Sequence, residues 1–238
     1  MNIAIVGTGR AGTSFALALR RAGHDVTEVH HDELNLLGTP DLVLLCVPDD
    51  ALRSVASDVP VRDTWVVAHA AGSRTLEVLA PHPRVGSLHP LVPLPDTERG
   101  AERLVGATYS VAGDELVSVV VASLHGRVLR LSDEQRTAYH ATASVASNHL
   151  VTLMGHVQAL AEHAGLTLDD FLPLAHLALL DVHALGPDAA LTGPASRGDM
   201  ATIDAHLAAI PEAERSTYVA MANAAFDLAE RRRAQLPA

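Results

Sequence analysis

The chain has 238 residues, with 17 basic side chains against 28 acidic ones and a formal charge of −11, and every basic residue is arginine. A chain without lysine cannot form a Schiff base, anchor pyridoxal phosphate or build a phosphate-loop nucleotide hydrolase, and arginine keeps its proton at neutral pH, which leaves the 14 histidines as the cations able to titrate there. The acidic balance argues against a nucleic-acid partner, the lone Cys46 excludes an internal disulfide, and apolar runs as short as 117–124 exclude a membrane span.

Residues 2–6 (Asn-Ile-Ala-Ile-Val) predict a buried strand. A glycine-rich turn follows, then helical spacing from Ala11 to Arg21, closed by Gly23 as a C-terminal cap. Further strands are expected at 25–29, 41–47, 64–69, 84–88, 107–112 and 127–131, with helices at about 50–58, 73–80 and 114–125. Alternation of apolar strands with helices indicates an α/β fold, a Rossmann-type doubly wound parallel sheet. Ser132-Asp133-Glu134-Gln135 has the form of a capping box and opens a helix to about residue 164. Beyond it only helices are expected, at about 168–184, 199–209 and 212–234. The chain thus divides into a dinucleotide-binding domain, 1–131, and an all-helical domain, 132–238. The start of the sequence lacks the basic and apolar stretches of a secretory signal, and the single cysteine suits a reducing compartment, so a cytoplasmic protein is expected.

Gly7-Thr8-Gly9-Arg10-Ala11-Gly12 lies between a strand and a helix. Gly7 allows the tight turn, Gly9 lets a pyrophosphate approach the backbone, and Gly12 lets the helix pack on the strand. The helix start presents free N–H groups and about half a positive charge to the phosphates. The bland reading is a tight strand–helix turn that binds nothing. At the end of the second strand, Asp32 could take the ribose hydroxyls of NAD, or His30 or His31 with Arg10 could hold the extra phosphate of NADP; both remain open. Residues 30–40 are too few for the usual crossover helix. If 41–47 pairs with the first strand, a helix and a strand are missing, the adenosine wall is thin, and cofactor is held weakly or unusually.

Several segments resemble one family. They are Leu44-Leu45-Cys46-Val47-Pro48-Asp49-Asp50-Ala51-Leu52, Val66-Val67-Ala68-His69-Ala70-Ala71-Gly72-Ser73 and Gly86-Ser87-Leu88-His89-Pro90-Leu91. More specific are Tyr139-His140-Ala141-Thr142-Ala143-Ser144-Val145-Ala146-Ser147-Asn148-His149 and Leu191-Thr192-Gly193-Pro194-Ala195-Ser196-Arg197-Gly198-Asp199. Together, over nearly the whole chain, they resemble Rossmann-like proteins with a helical C-terminal domain of unknown function, within the 6-phosphogluconate dehydrogenase-like superfamily. Its members include ketopantoate reductase, pyrroline-5-carboxylate reductase and β-hydroxyacid dehydrogenases. The resemblance implies hydride transfer with NAD(P), an active site between the domains, and a homodimer made by the helical domains. It places Val47, Pro48 and the turn at His69 beside the nicotinamide. It does not supply a substrate. Ketopantoate reductase and the hydroxyacid dehydrogenases carry a lysine four residues before an asparagine on the first long helix. Asn148 fills the asparagine position here, and the lysine position falls on Ser144.

His140, Ser144 and Asn148 are one helical turn apart, so they share one face. When hydride reaches a carbonyl carbon, charge builds on oxygen and needs hydrogen-bond donors and then a proton. Asn148 and Ser144 can donate hydrogen bonds; His140 or His89 can deliver the proton. The alternative for Ser144 and Asn148 is a polar seam between domains, and for His140 a capping or interface role. His89 and His69 both end inferred strands, where ligands bind in doubly wound sheets. Arg197 either pairs with Asp199, which can cap the following helix, or clamps a substrate carboxylate. His149, His156 and His163 recur every seven residues, about 10 Å apart along a helix, too far to share one metal ion. No metal is expected. The function expected is an NAD(P)-dependent oxidoreductase acting on a small carbonyl, hydroxyacid or imine. The alternatives are a non-catalytic nucleotide-binding or scaffold dimer, and a ketopantoate reductase variant with histidine in place of lysine.

Overall fold

Strands β1 (Asn2–Val6), β3 (Leu42–Leu45) and β4 (Val66–His69) are buried almost end to end, which requires cover on both faces of the sheet. The computed structural model describes residues 1–235. With β2 (Asp25–Val29), β5 (Val85–Pro90), β6 (Thr108–Gly113) and β7 (Arg127–Arg130), the described residues form a seven-stranded sheet in the order β2-β1-β3-β4-β5-β6-β7. This is a Rossmann-type α/β fold. β1 to β5 run parallel, but β6 is antiparallel to β5, and β7 parallel to β6, so the sheet is mixed rather than wholly parallel.

Alternate residues of each strand face opposite layers. Ile3, Ile5, Leu42, Leu44 and Ala68 pack in a core with Phe15 and Leu19 of α1 (Arg10–Arg21) and Val117 and Val120 of α4 (Leu116–Ser123). Ala4, Val6, Val43, Leu45 and Val67 pack with Leu52 and Val55 of α2 (Leu52–Asp58) and with Leu79. α3 (Thr97–Leu104) is an addition to the elements expected from sequence. Its start reads as a polar turn, yet Asp96 accepts the Arg99 N–H at 2.9 Å and caps it. It lies close against α1: a methyl group on Gly100 would fall 2.1 Å from the Ser14 hydroxyl. The segment expected as a helix at 73–80 forms a single 3-10 turn, Leu76–Leu79.

Between β2 and β3 only a 3-10 turn, Leu34–Leu36, occupies the connection, and β3 pairs directly with β1. Leu37, 5% exposed, packs with Val6, Val29 and Val43 where a crossover helix would otherwise sit. The missing helix and strand anticipated from residues 30–40 are thus absent among the described residues.

The capping box forms as expected and opens α5 (Asp133–Ser144). The two compact units, however, are Met1–Ser147 and Asn148–Ala238, so α5 belongs to the first unit and the division falls later than residue 131. Within that unit, buried Arg136 of α5 donates from Nη2 to the Ser87 hydroxyl of β5 at 2.8 Å. A π turn, Val145–His149, follows α5. The second unit contains α6 (Leu150–His163), α7 (Leu172–Leu185), the short α8 (Pro187–Ala190) and α9 (Gly193–Arg197), α10 (Met200–Ala209) and α11 (Glu212–Gln235). His156 of α6 is hydrogen-bonded to Glu214 of α11. No helix among the described residues is long and apolar enough to cross a membrane.

Candidate active site

The glycine turn has the geometry its spacing implies. Gly7 adopts φ +108°, and a methyl group there would meet the Cys46 carbonyl at 2.6 Å. A methyl on Gly12 would lie 1.8 Å from the Gly7 carbonyl, so Gly12 carries the close packing of α1 on the turn. Gly9 has open space in front of it, and no side chain caps the start of α1. The first-turn N–H groups of the helix are unpaired by construction. This cradle suits a pyrophosphate. Thr8, Gly9 and Arg10 are exposed around it, and Ala11 is half-buried.

β2 reaches the same end of the sheet, where the Gly7 N–H donates to the Val29 carbonyl at 3.0 Å. His30, His31 and Asp32 follow, all exposed. His30 is hydrogen-bonded to Asp32 and holds that carboxyl below the usual range, while His31 lies against His30 with ring centroids 4.4 Å apart. Val47 and Pro48 leave β3 at this end of the sheet.

Next to these strand ends lies a polar layer. Register pairs His69 with Ser87, and His89 with Ser110. Since Ser87 and His89 are two apart on β5, all four side chains share one face of the sheet. α5 contributes Arg136, Tyr139 and His140, which are three and four residues apart and so lie on one helix face. His89 Nδ1 is hydrogen-bonded to the Tyr139 phenol oxygen at 2.9 Å, and the His89 and His140 rings lie 5.9 Å apart edge to face. Both imidazoles press on Gly72: a methyl group there would sit 2.6 Å from His140 Nδ1 and 2.9 Å from His89 Nε2. His69 is wholly buried, and its Nδ1 accepts the Ala71 N–H at 3.2 Å, which places its proton on Nε2. Burial lowers His69 to about 4, with the Arg136 charge adding to the effect. Burial likewise lowers His89 to about 4, helped by His140. Both rings are therefore neutral at physiological pH. Burial raises the Tyr139 phenol, while the neighbouring Ser110 hydroxyl and, to a smaller extent, the Arg136 charge act in the opposite direction.

Arg136 is 1% exposed. Its Nε donates to Asp133 at 3.0 Å, and its Nη1 is buried with no partner. His69 Nε2, Ser110 Oγ and His140 Nδ1 are also buried and unpaired. Asp49 closes one side, accepting the Ser73 hydroxyl at 2.8 Å with Arg74 at 3.6 Å.

The structure thus brings His89 and His140 together as candidate proton carriers. Ser144 closes α5, and Asn148 sits exposed in the π turn, where i→i+5 bonding changes the helical step. The single-face register expected for 140, 144 and 148 does not run unbroken through that turn. Arg197 ends α9 and is exposed; among the described residues it has no ion pair with Asp199. Asp199 instead caps α10, accepting the Thr202 N–H at 3.1 Å.

Residues 105–225 match the family described as Domain of unknown function (DUF2520). The chain belongs to this family. No curated protein matches the chain. Among solved structures, the DUF2520 chain is similar to protein BF3122 from Bacteroides fragilis, described as an NADP oxidoreductase, with 22% identity, 95% of this chain and 98% of that chain covered, and a TM-score of 0.81. It is also similar to protein TM1727 from Thermotoga maritima, at 21% identity, 97% and 99% coverage and a TM-score of 0.74. A reductive aminase from Aspergillus terreus, solved with NADPH4, cyclohexanone and allyl amine, shares 17% identity over 97% and 94% of the two chains with a TM-score of 0.67. The DUF2520 chain shares with these proteins the Rossmann-type fold with a helical C-terminal region.

Three residues of this site, Arg136, Tyr139 and Gly72, are not singled out by the sequence. Tyr139 and Gly72 stand within segments that resemble the family, whereas Arg136 lies outside them.

Proposed function

We propose that this protein is an NAD(P)-dependent reductase acting on a small carbonyl, hydroxyacid or imine substrate. The observation that carries the reading is the His89–Tyr139–His140 cluster, toward the same carboxyl end of the parallel strands as a glycine cradle with open space at Gly9. Proton-carrying groups next to a phosphate-binding turn are what reduction of a polar double bond requires. Gly7, Thr8, Gly9, Arg10, Ala11 and Gly12 would hold the pyrophosphate. Val47, Pro48 and His69 would line the nicotinamide end. When bound, the cofactor supplies the hydride; the chain's own side chains orient the substrate and supply the proton.

NADP is favoured over NAD. Asp32 is already engaged by His30, whereas Arg10 at the start of α1 and His31 beyond β2 remain as hydrogen-bond donors for a phosphate. Similar folds solved with NADPH, such as the Aspergillus terreus enzyme with ethyl levulinate, support the same choice. Ser144, Asn148 and Arg197 are assigned to the substrate side, with Arg197 as the carboxylate clamp. The helical unit is assigned to a homodimer. Leu174, Leu177 and Leu180 of α7 are 66%, 57% and 49% exposed, and a helix so apolar needs cover.

Titration with NADPH and NADH, followed by nicotinamide fluorescence, tests the cofactor. Turnover on 2-oxo acids, aldehydes, ketones and cyclic imines tests the reaction. A second reading, a nucleotide-binding or scaffold dimer without turnover, is favoured by the lysine-free sequence and the shortened β2–β3 connection. It predicts binding with no oxidation of NADPH by any of these compounds.

A further inference from the structure

We propose that Tyr139 is the catalytic acid of this site, with His89 bonded behind it. The inference rests on the reductase reading. Four residues of β4 to β6 that could have been apolar core, His69, Ser87, His89 and Ser110, form a polar face beneath α5. A buried polar layer is retained only where its groups are satisfied or used. Tyr139 enters this layer from α5, edge-on to the His89 ring at 5.7 Å and hydrogen-bonded to Nδ1 at 2.9 Å.

A phenol can give up a proton only if its hydrogen points at the substrate and its oxygen is held. A neutral His89 with its hydrogen on Nδ1 does the holding: the ring N–H donates to the phenol oxygen, which leaves the phenol hydrogen free. With two electrons supplied as hydride by a bound dihydronicotinamide, the Tyr139 O–H bond would break and its proton would form the new O–H or N–H bond on the substrate. The phenolate left behind accepts the His89 N–H hydrogen bond and lies in the field of the Arg136 guanidinium, a charge fixed by Ser87 and Asp133. Solvent then returns one proton to the phenolate. In a chain with no lysine, a tyrosine beside a buried arginine meets the same need for a proton and a nearby positive charge.

Two measurements test this. In the first, Tyr139→Phe is compared with the unmodified protein on the best substrate of the panel above. The expected result is a fall in kcat of about a hundredfold or more, with NADPH affinity within twofold. Retention of more than a third of kcat overturns the inference alone. Absence of turnover by the unmodified protein on the whole panel overturns the reductase reading and the inference together. In the second, side-chain ¹⁵N spectra of histidine-labelled protein without cofactor identify His89 by its loss in His89→Gln. The expected form is the neutral Nδ1–H tautomer; the Nε2–H tautomer commits the phenol hydrogen to His89 and overturns the inference.

Discussion

Arg136 and Ser87, 49 positions apart in the chain, are joined by a 2.8 Å hydrogen bond from Nη2 to the serine hydroxyl, and this contact holds α5 on the sheet. Replacing Arg136 with Met leaves Ser87 buried without its donor and removes a side chain that is 1% exposed. The expected cost is about 1–3 kcal/mol of stability. Urea unfolding of the two proteins measures it, and an unchanged midpoint contradicts the role.

The glycine cradle predicts opposite outcomes for two neighbouring substitutions. Gly9→Ala points its methyl into open space, so the melting temperature should hold while affinity for NADPH falls. Gly12→Ala forces a methyl to 1.8 Å from the Gly7 carbonyl, so folding itself should suffer, by about 1–3 kcal/mol or more. Differential scanning fluorimetry with and without NADPH separates the two.

Gly72→Ala places a methyl 2.6 Å from His140 Nδ1 and 2.9 Å from His89 Nε2. Both rings must move away, and Tyr139 with them. A displacement of about 1 Å at reacting groups costs about a hundredfold in rate. We expect that fall in kcat with cofactor affinity preserved, read from steady-state kinetics.

His69 is lowered to about 4 in the folded protein from an ordinary value of 6.5. Between those values the unfolded chain binds a proton that the folded chain refuses, so stability falls as pH drops from about 6.5 to 4 and is fully present above that window. One such histidine contributes a slope of up to about 1.4 kcal/mol per pH unit. His89, lowered to about 4 for the same reason, adds to the effect. Denaturation midpoints of the unmodified protein and of His69→Gln across pH 4–7 should show the shallower slope in the variant.

Leu177, 57% exposed on α7, should be covered by a second copy of the chain. If the proposed dimer forms through this face, Leu177→Glu would bury a charge in it and should yield a monomer by sedimentation velocity where the unmodified protein is expected to sediment as a dimer. Equal sedimentation of the two contradicts this assignment.

Much of the first unit could be read locally. Continuous apolar runs give β1, β3 and β4, and the capping box sets the start of α5 to within a residue. The spacing of Gly7, Gly9 and Gly12 specifies a cradle because each glycine answers a steric demand within its own turn. The lack of residues for a helix between β2 and β3 is a matter of chain length alone. α3 was hidden because its start reads as a polar turn, and its packing partner α1 lies far off in the chain.

By itself, then, the sequence determined the alternation of elements, the glycine cradle and the exclusion of lysine chemistry, since each follows from residues within one turn or strand of one another. Only the tertiary structure decided that β6 reverses direction, that α5 belongs with the sheet, and that Tyr139 stands against His89. Those outcomes depend on contacts such as Arg136–Ser87 and Tyr139–His89, which join residues 49 and 50 positions apart. No local periodicity records such pairs, because their energy comes from desolvation and hydrogen bonding that exist only once the sheet and α5 have met.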